Sequence, residues 1–385
     1  MTAPALAVLL GTRPEAIKLS PVIRALATAG APPLVVVTGQ HDEMLQPILQ
    51  DLGIVPAENL EVMSPAQGLA SLSARVLEAV DALLARHPLR TVIVQGDTTS
   101  AVMAGLAAFY RAVRVAHVEA GLRTNVPRNP FPEEMNRRLL ARVADLHFAP
   151  TEAARRHLLD EGVAASSVHL VGNTVVDALF DARDRLLPGR APDDVTGPLI
   201  ASGRRIVLLT AHRRESFGED LRAIGEGVRA LARDLADDVA VAYPLHLNPE
   251  VSGPMRDLLG HEPGVHLLPP LPYLSFLRLL LASTLVITDS GGVQEEATAL
   301  GKPFLVVRKA SERLEAVDAG VGELVGTDAG AIAIAASRLL RDDALYARRA
   351  VPSAVFGDGR AAERIAAVLV RGASAGTAGP PSARR

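Results

Sequence analysis

Short apolar runs punctuate the chain: LAVLL, LVVV, TVIVQ, RVAHV and DLHFA in the first half, then RIVLLT, VAVAYP, VHLLP, TLVIT and PFLVV in the second. Brief runs rich in Val, Leu and Ile, separated by helix-length segments, predict parallel strands buried on both faces in βα units. Each half is therefore expected to form its own doubly wound, Rossmann-like α/β domain. The periodicity lapses between VGNTVVDALF and PGRAPDDVTGPLIASGRR, where Pro, Gly and Asp accumulate. That break divides the chain into a first domain at 1–172 and a second at 173–357. A helical segment at about 358–371 follows, and the Gly-, Ser- and Pro-rich end, 372–385, has the composition of a disordered tail.

Composition narrows the function. At 385 residues the chain is too long for one ordinary core, which agrees with two domains. It holds no cysteine, which removes disulfides, thiolate metal sites and thiol nucleophiles and fits a reducing compartment. A net charge of −3 provides no footprint for nucleic acid or an anionic membrane. The apolar start ALAVLLG has no Lys or Arg before it and meets Arg13, Glu15 and Lys18 directly after, so it reads as a buried strand rather than a signal peptide. The most apolar later run, Tyr273 to Thr288, is too short and too polar to span a bilayer. A soluble, cytoplasmic protein without metal or cofactor is expected.

Polar motifs stand where the strands end, the edge at which open α/β sheets bind ligands. In GTRPEAIKLSP, Gly11 gives the backbone room, Arg13 offers a fork of donors and Lys18 follows in the next helix; a solvated loop is the plainer reading. VQGDTTSA places Asp97 after a strand, where an N-cap is the commoner fate of an Asp. VAHVEAGLRT sets His117, Glu119 and Arg123 at another strand end, and PFPEEMNRRL opens a helix with Glu133 and Glu134, one of which dipole complementarity would explain. In the second half, LLTAHRRESFG presents His212 beside two arginines, a set suited to a diphosphate. YPLHLNP carries His246, most simply a hydrogen-bonded structural histidine. VITDSGGVQEEA runs a strand into Ser290, Gly291 and Gly292, leaving free N–H groups at a helix N-terminus for a phosphate, with Glu295 and Glu296 behind.

Together these segments, with TGQH, GNTVVD, LGKP and SERLEAV, run from about residue 10 to residue 320 in one order. That order resembles the bacterial non-hydrolysing UDP-N-acetylglucosamine 2-epimerases. The resemblance implies a fold like that of B-type glycosyltransferases, with the active site between the domains, a final helix crossing back to the first, and a homodimer. Carried over by motif, it implies that Arg13 and Lys18 line the sugar and phosphate side and that Asp97, Glu119 and Glu133 are the catalytic carboxylates. His212 and the backbone of Ser290, Gly291 and Gly292 would meet the diphosphate, Glu296 the ribose, Phe276 the uracil and Arg313 the sugar.

Two stretches depart from the family's usual pattern. RKASERLEA stands where many members read RDTTERPEA, so Lys309, Ala310 and Leu314 alter a loop that faces the sugar in the family, which keeps a modified UDP-hexosamine open as substrate. The family's second, allosteric nucleotide-sugar site uses a QHRQM-like helix start and a nearby Arg. Here Gln40, His41, Glu43 and Met44 belong to QHDEM, Ala66 stands where an Arg can occur, and His246 is a further candidate at that site. A carboxylate at 43 repels a diphosphate, so weakened activation is expected. A hydrolysing epimerase would use similar residues, and a glycosyltransferase would share the fold without needing a base at C2.

Overall fold

The computed structural model describes residues 5–39, 45–64, 67–309 and 313–375. The chain forms two compact units: residues 1–180 with 357–385, and residues 181–356. The first division thus falls later than 172/173, because the helix that begins within GNTVVD packs with the first unit.

In the first unit, β1 (Leu6–Leu10), β2 (Leu34–Val37), β3 (Glu58–Asn59), β4 (Thr91–Gln95), β5 (Arg114–Val118), β6 (Leu146–Ala149) and β7 (Val168–Leu170) alternate with helices. These are α1 (Arg13–Thr28), α2 (Leu45–Leu52), α3 (Leu69–Arg86), α4 (Thr99–Tyr110), α5 (Glu133–Val143), α6 (Glu152–Asp160) and α7 (Thr174–Asp181). Among the described residues the sheet order is β3-β2-β1-β4-β5-β6-β7, every pairing parallel. Strand order therefore reverses between β1 and β4, the crevice where doubly wound sheets take ligands. Ala7, Leu9, Val92, Val94 and Val115 project from one sheet face onto α3, α4 and α5, where Val76, Val80, Ala104 and Leu140 complete a buried core.

The second unit repeats the scheme. Its strands are β8 (Arg205–Thr210), β9 (Val239–Pro244), β10 (Val265–Leu268), β11 (Ser283–Thr288), β12 (Phe304–Val306) and β13 (Gly322–Leu324), in the order β10-β9-β8-β11-β12-β13, again parallel. Its helices are α8 (Gly197–Ala201), α9 (Glu219–Asp234), α10 (Pro249–Leu259), α11 (Tyr273–Ala282), α12 (Gly291–Leu300), α13 (Leu314–Asp318), α14 (Ala329–Arg341) and α15 (Asp343–Arg349). The run Tyr273 to Thr288 is α11 followed directly by β11, and no described helix is long and apolar enough to cross a membrane. The apolar runs all became strands or parts of strands. The short strands β3, β7 and β13, which lie at sheet edges with one neighbour each, carry too little apolar pattern to be read from sequence.

The last helix, α16 (Ala361–Ala375), belongs to the first unit and packs on α1. It continues through 372–375, which composition assigned to the tail; residues 376–385 lie outside the described residues. Its N-terminus is held by Asp177 of α7, whose carboxylate accepts the N–H groups of Ala362 at 2.8 Å and Ala361 at 3.2 Å. Burial raises the Asp177 carboxyl from the usual 3.8 to about 6, against those bonds, and Asp358 adds repulsion. A carboxyl whose folded pKa is raised keeps its proton longer in the folded state, so its contribution is full below about pH 4 and is lost as pH rises to about 6. Relative to Asp177→Asn, the stability of the natural protein should fall by about 1.4 kcal/mol per pH unit across that window. Urea unfolding at several pH values measures it; a difference that stays flat contradicts it.

Candidate active site

The carboxyl ends of β1, β4 and β5 assemble the first unit's polar cluster. Past β1 the chain turns at Gly11, where an added Cβ would lie 2.8 Å from Thr38 Oγ1, so no larger residue fits without movement. Thr12 in extended conformation and Pro14 early in the helix start α1, which presents Arg13 in its first turn and Lys18 beyond it. Glu15, on the same helix, is buried, accepts the N–H of Gly11 at 2.8 Å and the hydroxyl of Thr98 at 2.7 Å, and so ties the β1 and β4 loops together. Burial raises its pKa, with the Thr98 hydrogen bond opposing.

Lys18 reaches across to Glu119 at the end of β5, its Nζ 2.6 and 2.8 Å from the two carboxylate oxygens. Gln95 Nε2, at the end of β4, and Asn173 Nδ2, before α7 and 3.2 Å away, donate to the same carboxylate. Four contacts from donors that cannot accept suit an ionised carboxylate rather than a carboxylic acid. The backbone of Glu119 is left-handed, φ 63°. That conformation costs a non-glycine residue about 1–2 kcal/mol and persists where surrounding contacts hold it.

Asp97 is not the N-cap of α4. Thr98 is, its Oγ1 accepting the N–H of Ala101 at 3.0 Å, which frees the Asp97 carboxylate to meet Arg137 Nε at 2.7 Å. Of the two glutamates that open α5, Glu134 is structural: fully buried, it accepts the N–H of Thr124 and bonds to Arg138 and Arg137. Glu133 is half-buried and its Oε2 lies buried without a hydrogen-bond partner. Arg123 is also structural, forming a two-pronged bond to Glu161. His117 faces inward to the Gly96 carbonyl.

In the second unit the switch point lies between β8 and β11, and His212 and Asp289 stand at those two strand ends. Buried Asp289 accepts the N–H groups of His212 and Arg213, each at 2.7 Å, which fixes the loop after β8. His212 stacks on His246, ring centroids 5.2 Å apart and 8° from parallel. His246 thus lies against His212 and accepts the N–H of Asn248 through Nδ1. Burial lowers the His212 pKa; Asp289 opposes this, and His246 and Arg213 add to it. The ring is consequently neutral more readily than a free imidazole.

Ser290 begins α12 without a side-chain cap, so the N–H groups of the first turn, including those of Gly291 and Gly292, are not taken by the cap residue. The two glycines differ in reason. A Cβ on Gly291 would lie 3.2 Å from Arg313 Cζ, whereas one on Gly292 would meet nothing within 4 Å. Arg313 is held there by Glu295, Nε to carboxylate 2.9 Å, which places a guanidinium beside a helix N-terminus. Glu296 is buried in the same helix and Phe276 is half-buried on α11. Lys309 pairs with Asp220 at 2.7 Å. Gln40, His41, Glu43, Met44, Ala66 and Ala310 lie outside the described residues, as does the Leu314 side chain.

The sequence profile of the UDP-N-acetylglucosamine 2-epimerases matches residues 25–370. The chain belongs to the UDP-N-acetylglucosamine 2-epimerase family. It is 45% identical over 366 residues to the UDP-N-acetylglucosamine 2-epimerase of Escherichia coli K12, covering 93% of this chain and 96% of that one. The crystal structure of the Neisseria meningitidis UDP-GlcNAc 2-epimerase bound to UDP-GlcNAc superimposes with a TM-score of 0.90 at 38% identity, over 95% of this chain and 99% of that one. The Methanocaldococcus jannaschii enzyme, solved with UDP-GlcNAc and UDP, gives 0.79 at 31% identity, over 95% and 99%. The protein therefore has the two-Rossmann, B-type glycosyltransferase-like fold expected of an epimerase.

Sequence reasoning passed over Gln95, Asn173, Asp289 and Arg137, the residues that hold the candidate groups. Gln95 left a trace, as the polar last residue of TVIVQ, and Asn173 another, inside GNTVVD. The Lys18–Glu119 pair yields a test. Removing the half-buried Lys18 leaves the charge of buried Glu119 uncompensated, so Lys18→Met should cost about 1–3 kcal/mol, while the double variant with Glu119→Gln should recover much of it. A urea-unfolding cycle reads the coupling; additive effects would contradict it.

Proposed function

We propose that the protein is a cytoplasmic, homodimeric enzyme that interconverts UDP-N-acetylglucosamine and UDP-N-acetylmannosamine by inverting C2. Support comes foremost from Glu119, a buried carboxylate forced into a left-handed backbone at a strand end and surrounded by Lys18, Gln95 and Asn173. The C2 hydrogen of a hexosamine is a poor acid. Breaking the bond from C1 to the UDP oxygen first, or in concert, develops oxocarbenium character at C1 that acidifies it. Elimination then yields 2-acetamidoglucal and UDP, and reprotonation from the opposite face with return of UDP yields the epimer. Two faces require two proton-transfer groups, which Asp97, Glu119 and Glu133 supply, with Arg13 and Lys18 on the sugar and phosphate side.

The second unit holds the leaving group. His212, the first-turn N–H groups at Ser290, Gly291 and Gly292, and Arg313 offer donors to a diphosphate whose negative charge grows as the bond breaks. Glu296 takes the ribose hydroxyls and Phe276 flanks the uracil. Incubation with UDP-N-acetylglucosamine in D2O, followed by proton NMR, should produce UDP-N-acetylmannosamine with deuterium at C2 of both sugars and no free sugar. Free N-acetylmannosamine would identify a hydrolysing enzyme instead. Absence of exchange would redirect the search to hexosamines modified at C3 or C6, as the altered 309–314 stretch allows.

Support for the homodimer is an apolar face. Phe131, Met135 and Leu139, four residues apart along α5 and its approach, are exposed, as are Phe109 and Tyr110 at the end of neighbouring α4. Exposed large apolar side chains gathered on two neighbouring helices suit an interface. Light scattering should give the mass of two chains for the natural protein and of one for a Met135→Glu, Leu139→Glu variant. A natural protein with the mass of one chain would contradict the dimer.

A further inference from the structure

The turn that carries Asp97 is held by hydrogen bonds to its backbone and to the Thr98 hydroxyl, and the Asp97 carboxylate leaves it toward Arg137. Gly96 has φ 71°, and nothing lies within 4 Å of where a Cβ would stand. Sterics therefore leave the orientation of the Gly96–Asp97 peptide unspecified, since glycine is the most permissive residue of all. Hydrogen bonds specify it instead. The Gly96 N–H donates to the Val118 carbonyl at 3.0 Å, the Asp97 carbonyl accepts from Asn136 Nδ2 at 2.8 Å, and the Thr98 hydroxyl donates to Glu15. The Gly96 carbonyl accepts from His117 Nε2 at 2.8 Å.

His117 is fully buried on β5, in register with His147 on β6, which is buried too. Because its partner is a carbonyl, Nε2 carries the proton and Nδ1 is left as a lone pair, and that Nδ1 is buried with no hydrogen-bond partner. Burial pushes the imidazole down to about 3, so it is neutral throughout the working range. Any apolar residue would fill this strand position without an orphaned nitrogen. The remaining function of the ring is the single bond to Gly96, and full burial keeps the ring itself from touching a substrate.

Resting on the epimerase reading above, we infer that His117 is a positioning residue for Asp97: by clamping the Gly96 carbonyl it sets the direction in which the Asp97 carboxylate leaves the turn. Glu15, bonded to Thr98 on the following residue, is the second anchor of the same turn. The consequence is specific to one proton-transfer group, because Glu119 is held by a separate set of donors, Lys18, Gln95 and Asn173.

The test compares His117→Phe, His117→Asn and His117→Gln with the natural protein in D2O, reading kcat, KM and the ratio of C2 deuterium in recovered substrate to that in the epimer. His117→Phe should lower kcat by about 10²-fold, the scale of a misplacement of about 1 Å, with little change in KM and with an altered ratio, since one of two proton-transfer groups has moved. His117→Gln, whose amide nitrogen takes the place of Nε2, should restore most of kcat and the ratio, and His117→Asn, too short, should not. Unchanged kcat and ratio in His117→Phe overturn the inference. So does a loss of activity with the natural ratio kept and no rescue by Gln, which marks a purely structural histidine. A natural protein that neither exchanges nor epimerises overturns the epimerase reading, and this inference with it.

Discussion

A parallel sheet delivers every strand to the same edge, and each of the two sheets here must satisfy whatever polar groups it gathers there. Helices cover both faces, so the backbone that leaves each strand end enters a region poor in water, where an unpaired carboxylate is costly. The first unit meets that constraint by spending donors from distant segments on one acid. Lys18 comes from the helix after β1, Gln95 from β4 and Asn173 from the approach to α7, and all converge on Glu119. The left-handed backbone of Glu119 is tolerable only because these contacts over-determine it.

The second unit meets the same constraint with opposite signs. There the carboxylates work as anchors for positive groups: Asp289 fixes the amides of His212 and Arg213, and Glu295 fixes Arg313 beside the uncapped start of α12. The result is a concentration of donors at a strand edge, which suits an anion. One fold repeated twice thus yields an acid-rich edge in the first unit and a donor-rich edge in the second. The final helix belongs with the first unit and is pinned to α7 by Asp177, so the segment that follows Asn173 is held from its far end as well.

Much of this was legible in the chain. Every apolar run became a strand, buried except for VHLLP at a sheet edge, and the strand-end motifs stand at the carboxyl ends of the strands, because a buried strand must be apolar along its length and a site must break that pattern at its end. The edge strands β3, β7 and β13 were missed, since strands such as Glu58–Asn59 and Gly322–Leu324 make ladder contacts on one side only and need no apolar pattern. An N-cap was the plainer reading of Asp97 from its residues alone, and Thr98 took that role. The residues alone did not distinguish Glu133 from Glu134, although the resemblance pointed to Glu133, and burial against Thr124, Arg137 and Arg138 marks Glu134 as structural.

By itself the sequence determined the fold class, the two-unit plan, the family and the residue types at each strand end, because periodicity and motif order are properties of neighbours along the chain. Tertiary structure alone decided which partner each charged group has. Lys18 meets Glu119 because β1 and β5 flank β4 in one sheet, and Gly291 makes room for Arg313 because their loops lie side by side. Such pairings depend on strand order and loop direction, and the energies that set the state of a buried carboxylate or imidazole come from exactly those non-local contacts and from burial.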